Sequence, residues 1–291
     1  MATVAEWVEG ARLRTLPAAL APVVVGSAVA LHLGQADWLR AALAGVVALA
    51  LQVGVNYAND YSDGVRGTDA ERVGPMRLVG SGAATPKAVK LAAFASFGIA
   101  AVAGLALVVL TGQWWLLAVG VACILAGWYY TGGRRPYGYA GLGEFFVFVF
   151  FGLVATVGTT YVQTLSVPAP AVWGGVATGA LASAILVANN LRDRAGDAES
   201  GKRTLAVRLG DRGTRWFYVA LVGLGALGIV LLAAGTTWWA ALGLLGLIVL
   251  VGPVARVLQG ARGPELIRVL KVTGIAEVLA AVGVLVGTVI G

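Results

Sequence analysis

Apolar runs of about twenty residues recur along nearly the whole chain, and no other feature constrains the fold as strongly. Nine can be separated, at 16–34, 38–58, 86–111, 114–131, 143–163, 171–191, 215–235, 238–258 and 269–290. A helix rises about 1.5 Å per residue, so each run is long enough to cross most or all of a hydrocarbon core of roughly 30 Å. Only 12% of the 291 residues are charged and 59% are hydrophobic, whereas a soluble domain carries about 25% charged residues. The pattern predicts an all-α, polytopic membrane helix bundle of about nine transmembrane helices around a central cavity, with a cytoplasmic cap of loops, as one domain over 1–291.

The cations are segregated. Arg12 and Arg14 precede the first run. Arg66, Arg72, Arg77, Lys87 and Lys90 follow the second, Arg134 and Arg135 the fourth, seven more the sixth and four more the eighth. Only Arg40 falls on the other side. By the positive-inside rule the N-terminus and the long loops are cytoplasmic and the C-terminus is outside, in a multi-pass arrangement. The composition, rich in Ala, Gly and Val, points to the inner membrane of a bacterium. The net charge of +7 is explained by this topology, which excludes nucleic acid as the partner. The run that starts at Leu16 fits a retained span better than a cleavable signal. The single cysteine, Cys123, excludes an intramolecular disulfide and a cysteine-based metal site. His32, at the outer end of the first run, reads as an interfacial residue.

Positive-inside bias does not govern acids, so their placement carries more information. "NYANDYSDGVRGTD" ends the second run, and in it Asn56, Asn59, Asp60 and Asp63 are three or four residues apart. On a helix they share one face, with Gln52 one turn earlier. "NNLRDRAGDAESGKRTLAVRLG" ends the sixth run, with Asn189, Asp193 and Asp197 at intervals of four. Each cluster closes the second helix of a four-helix block, 16–131 and 143–258, which suggests a weak parallel repeat followed by a ninth helix at 269–290. Carboxylates one turn apart repel unless a cation lies between them. Mg²⁺ takes one or two carboxylates and fills its other positions with phosphate oxygens, and the interleaved Arg and Lys residues supply countercharge. Asp63-Gly64 alone would pass for a solvated turn; two such clusters on one membrane face argue for a Mg²⁺–diphosphate site.

With "ARLRTLPAALAPVVVG" near the N-terminus and "RRPYGYAGLGE" between the two clusters, the four motifs in order resemble the UbiA superfamily of intramembrane prenyltransferases. Within it they are similar to the branch that acts on 1,4-dihydroxy-2-naphthoate in menaquinone biosynthesis. The resemblance implies transfer of a polyprenyl group from polyprenyl diphosphate to that acceptor, with Mg²⁺ as cofactor. It implies Asp60, Asp63, Asp193 and Asp197 as catalytic, metal-holding acids. Asn56, Asn59 and Asn189 would orient ligands or donate to phosphate oxygens, and Arg66, Lys202 and Arg203 would contact the diphosphate. Tyr137 and Tyr139 would shield the allylic cation. Many members carry a third acid four residues after the second; here that position is Gly67 and the next acid is Asp69, a gap shared with the naphthoate branch. Arg14 and Arg135 are candidates for the acceptor carboxylate, and Gln52 for the cavity lining. Glu277 in the ninth run is an intramembrane acid without an assigned role. A related transferase with another acceptor, such as 4-hydroxybenzoate, is the nearest alternative. A transporter is another, although its binding charges belong near the bilayer midplane rather than at helix ends.

Overall fold

The computed structural model describes residues 2–67 and 76–291, without the side chain of Arg14. Asp69, Glu71 and Arg72 therefore lie outside the described residues, and so does the Arg14 side chain. Regular structure among the described residues is helical throughout. A short helix, α1 (Val4–Gly10), is closed by a capping box between Thr3 and Glu6. Then come α2 (Pro17–His32), α3 (Trp38–Arg66), α4 (Pro86–Thr111), α5 (Leu116–Tyr129), α6 (Gly143–Thr164), α7 (Ala169–Glu199), α8 (Leu205–Ala234), α9 (Trp238–Leu258) and α10 (Pro264–Ile290). Seven of them, α3, α4 and α6 to α10, are long and apolar enough to cross a membrane, and α2 and α5 are shorter apolar helices. Each of the nine apolar runs has thus become a helix.

The two helices that carry the motifs run well past the C-terminal ends of their runs. α3 continues past the end of its run to Arg66, giving 29 residues between an Asp37 N-cap and a Gly67 C-cap at φ 72°. α7 continues to Glu199 and has 31 residues. At about 1.5 Å per residue both exceed 40 Å, so their last turns stand clear of a hydrocarbon core of roughly 30 Å. The acid-rich segments are therefore helical and rigidly mounted, not loop.

The helices assemble around several apolar cores, two of which flank the site. Val25 and Val29 of α2, Ala177 of α7, Ile229 and Leu232 of α8, and Ala280 and Val284 of α10 form one apolar core. Tyr57 and Ala58 of α3 pack with Val89, Ala93 and Phe97 of α4 in another, which α5 joins through Ile124 and Trp128. α7 is the most enclosed of the seven long apolar helices, with 72% of its most apolar stretch buried. It admits α6 to backbone contact at Gly152, where a Cβ would stand 2.4 Å from the Gly175 carbonyl oxygen. Small residues at such crossings let membrane helices approach closely. At that crossing α6 loosens into a π-helical stretch, Phe148–Val154, a departure that often marks functional sites. The space between α3–α5 on one side and α6–α7 on the other is left open.

Candidate active site

That space is a cavity of about 520 Å³ with two chemically distinct ends. At one end the walls are polar, with Arg12, Asn56, Asn59, Asp63, Arg77, Asn189, Asn190, Asp197 and Lys202 among the lining residues. Below this pole the cavity becomes an apolar shaft, bounded by Ala44 and Val47 of α3, Leu107 of α4, and Phe150 and Val162 of α6. On α3 the lining extends from Asp63 to Ala44, about five turns or ~28 Å. Leu105 and Val121 line the shaft yet are exposed on the outside of the bundle, so it opens sideways where lipid would lie.

The four acids divide into two kinds. Asp63, 3% exposed, lines the cavity, accepts a hydrogen bond from the Tyr139 hydroxyl and lies 3.9 Å from the Arg77 guanidinium. Asp197 also lines the cavity, 3.9 Å from the Lys202 ammonium. Asp60, with no exposed surface, turns away and accepts from the backbone amides of Leu78 and Val79 at 2.8 and 3.0 Å. Asp193 takes a bidentate pair of hydrogen bonds from Arg192 at 2.6 and 2.7 Å, and Arg192 also donates to Asn189 at 2.9 Å.

Tyr139 joins the two motifs. Its hydroxyl donates to Asp63 in α3, while the Lys202 ammonium lies 4.5 Å and the Arg66 guanidinium 5.4 Å from its ring centroid. Its carbonyl accepts from the Arg203 amide at 2.9 Å. Cations over an aromatic face are attracted by its quadrupole, so this ring gathers both motifs at the pole. Arg66 donates to the carbonyls of Thr131 and Gly133, beside the hydrogen bond from Thr131 to Asn59 at 2.8 Å. Tyr137 donates to the Ala126 carbonyl at 2.7 Å and stacks on Phe146 with centroids 4.1 Å apart. Burial pushes the Tyr137 phenol pKa up, which keeps it a neutral donor.

Asn56 donates to the Ala11 carbonyl at 2.8 Å and to Thr15 at 2.9 Å, and Gln52 donates to Thr15 at 2.7 Å. These bonds hold the segment between α1 and α2 across the cavity mouth. There Arg12 adopts a left-handed conformation, φ 54°, and lines the site. A non-glycine residue rarely occupies that region, and at a site such strain is held by surrounding contacts. Arg203 and Arg135 are exposed and do not line the cavity. Glu277 is buried among α2, α7 and α8, remote from the pole.

Sequence reasoning passed over Arg12 and Arg77, counting both as topological charges, and over Asn190 and Glu144. A signal existed for the last two: Asn190 adjoins Asn189, and Glu144 closes the "RRPYGYAGLGE" motif.

The pole offers hard oxygen donors, Asp63 and Asp197 with Asn carbonyls beside them. Among the described residues no three His, Cys, Asp or Glu side chains converge on a point. That donor chemistry fits Mg²⁺ shared with a phosphate ligand, which needs few protein carboxylates.

Residues 19–273 match the UbiA prenyltransferase family. The chain belongs to that family. It is 53% identical to the 1,4-dihydroxy-2-naphthoate octaprenyltransferase of Mycobacterium leprae, over 98% of this chain and 96% of the relative. It is 40% identical to the Escherichia coli protein of the same name, over 74% of this chain and 72% of that one. Among solved structures, the apo UbiA homolog from Aeropyrum pernix K1 aligns with TM-score 0.73 at 16% identity, covering 94% of this chain and 98% of that one. A UbiA homolog from Archaeoglobus fulgidus bound to GPP and Mg²⁺ aligns with TM-score 0.62 at 16% identity, covering 98% and 99%. These neighbours share the fold of this family member.

Proposed function

We propose that this protein transfers a polyprenyl group from polyprenyl diphosphate to 1,4-dihydroxy-2-naphthoate, with loss of CO₂ and diphosphate, giving demethylmenaquinol. The observation that carries the reading is the joining of a polar pole, built from both motifs, to an apolar shaft open toward lipid. An amphiphile with a charged head and a long apolar tail matches that division. The relatives' names supply the acceptor.

In this reading Asp63 and Asp197, with Asn59 and Asn189, hold a Mg²⁺–diphosphate head. When bound, Mg²⁺ supplies charge neutralisation for the departing diphosphate. Arg77 and Lys202 stand beside these acids and bind the remaining phosphate oxygens. Asp60 and Asp193 support the pole from behind, one through the Leu78–Val79 backbone and the other through Arg192. Arg12, on the α3 side of the mouth, takes the acceptor carboxylate. Tyr137 and Phe146 line the cavity beside the developing allylic cation and exclude water, whereas the Tyr139 ring, expected to join them, is occupied by Lys202 and Arg66 and organises the diphosphate end instead. Each four-helix block contributes one motif, and the segregation of Lys and Arg supports a pole at the cytoplasmic face with the C-terminus outside.

The test is a detergent assay with radiolabelled polyprenyl diphosphate, either 1,4-dihydroxy-2-naphthoate or 4-hydroxybenzoate, and Mg²⁺ or EDTA. A lipid product with the naphthoate alone, abolished by EDTA, is expected. Product from 4-hydroxybenzoate alone would overturn the acceptor, and product in EDTA would overturn the diphosphate site.

A further inference from the structure

Asn190 and Glu144 form a buried pair at the boundary between pole and shaft. Asn190, 8% exposed, lines the cavity, and its Nδ2 donates to Glu144 Oε1 at 2.9 Å. Glu144 is 4% exposed and sits in the first turn of α6, where its own carbonyl accepts from Ser183 of α7 at 3.2 Å. With the amide nitrogen committed to Glu144, the carboxamide has one polar atom left. Asn190 Oδ1 accepts no hydrogen bond among the described residues and is not sealed in as a buried unpartnered atom. It is an uncommitted acceptor on a residue that lines the cavity.

Its surroundings indicate what it would meet. One turn back on α7, Leu186 lines the cavity, and Tyr137 and Phe146 form the nearby aromatic wall. A phosphate oxygen is itself an acceptor and would be repelled by Oδ1. A flat aromatic ring carrying a hydroxyl donor would be bound. We propose that Asn190 accepts a hydrogen bond from a ring hydroxyl of the aromatic acceptor and so selects a phenolic substrate, with Glu144 as the positioning residue that keeps Oδ1 facing the cavity. The proposal rests on the prenyl-transfer reading above and names the residue that recognises its acceptor.

The chemistry needs an acceptor of this kind and no stronger base. The allylic C–O bond breaks with its electron pair going to diphosphate, and a ring π pair forms the new C–C bond at the carbon bearing the carboxylate. The bond to the carboxylate then breaks, its pair returns to the ring and CO₂ departs. The hydroxyl proton stays on its oxygen throughout. While the ring carries positive charge that O–H is a stronger donor, so its bond to Oδ1 tightens in the transition state. Donation from Nδ2 to Glu144 polarises the amide in the same direction.

The test uses the full-length protein in detergent with Asn190→Leu, Glu144→Leu and Glu144→Gln. Acceptor kinetics are measured beside the binding of an unreactive prenyl thiodiphosphate. Asn190→Leu keeps the volume and removes the oxygen; kcat/KM for the naphthoate should fall about 10- to 100-fold, with analogue affinity unchanged. Glu144→Gln still accepts from Nδ2 and should stay within a few-fold of wild type. Glu144→Leu should approach the Asn190→Leu loss, and the double variant should be no worse than Asn190→Leu. With the acceptor analogue lacking the recognised hydroxyl, wild type should already show the loss and Asn190→Leu should add nothing. The proposal is overturned if Asn190→Leu weakens the donor analogue instead, or if every monohydroxy analogue loses equally in wild type and variant. If Glu144→Leu does not fold, the Asn190→Leu split between donor and acceptor still decides. Failure of the wild type to prenylate the naphthoate at all would instead strike the underlying reading.

Discussion

The ends of α3 and α7 look interchangeable in sequence and are not in structure. Each carries asparagine followed by acids at helical spacing, and each points one acid, Asp63 or Asp197, into the cavity. In each the other acid turns away, but to different partners. Asp60 holds two backbone amides in the segment after α3, whereas Asp193 is held by Arg192, its neighbour in the same helix. The outward acid of the first motif is thus tied to the chain that follows it, whereas Asp193 takes its bidentate pair from within its own helix. Helical spacing places side chains on a common face, but which of them reaches the ligand depends on what the surrounding segments claim first.

The largest effects should come from the inward acids, and there the two motifs should behave alike. Asp63→Asn and Asp197→Asn preserve shape and remove charge, so each is expected to lower prenyl transfer by about 100- to 1,000-fold while the protein folds normally. The detergent assay with added Mg²⁺ measures this. A large loss in one and near-normal activity in the other would break the equivalence of the two inward positions.

The outward acids should separate the motifs. Asp60→Asn leaves one amide donor in the Leu78–Val79 segment without a good acceptor inside the protein, at a cost of about 1–3 kcal/mol. Asp193→Asn leaves Arg192 its hydrogen bond to Asn189 and an amide oxygen at position 193 that still accepts. The expected order is a clearly lower melting temperature and faster proteolysis between α3 and α4 for Asp60→Asn, with a smaller change for Asp193→Asn. Equal shifts would mean that the backbone tether contributes nothing beyond an ordinary ion pair.

Tyr139→Phe sharpens the comparison further. It removes the hydroxyl that reaches Asp63 and keeps the ring beneath Lys202 and Arg66. A loss of about tenfold in activity is expected from one charge-assisted hydrogen bond. Combined with Asp63→Asn the losses should overlap, and combined with Asp197→Asn they should add. The reverse pattern would show that the ring, through Lys202, serves the second motif first.

Much of this was legible in the chain because the bilayer simplifies the problem. Backbone groups in lipid must be satisfied within a helix, so apolar runs translate into helices with little ambiguity. Helical spacing of the acids also anticipated that the helix continues beyond the apolar run at 59–66 and 192–199, although hydropathy alone marks no end point there. Asn56 was legible as a site residue, yet its amide is spent on Ala11 and Thr15, contacts across more than forty residues that no local pattern encodes. Arg12 was invisible for a related reason. It is one of many arginines outside the apolar runs, and its backbone conformation and the strap held by Asn56 bring it over the cavity. Glu144 drew no attention because one acid at the start of an apolar run resembles an ordinary helix-terminal charge.

Glu277 supplies the contrast to both motifs, since it is an intramembrane acid that neither helix end claims. It is 1% exposed, neither of its carboxyl oxygens has a partner among the described residues, and a void of about 10 Å³ lies beside it. Its neighbours there include Val25, Leu181, Ile229 and Val284, with Thr178 the polar exception. Burying an unsatisfied polar group costs roughly 1–3 kcal/mol judged from mutational data, and an apolar side chain of similar volume removes that cost. Glu277→Leu should therefore raise the melting temperature in detergent by a few degrees and leave prenyl transfer unchanged, the reverse of every motif substitution above. A folded Glu277→Leu protein with impaired transfer would show instead that the acid is retained for the reaction and acts on the cavity through the helices around it, α10 itself reaching the cavity at Leu270.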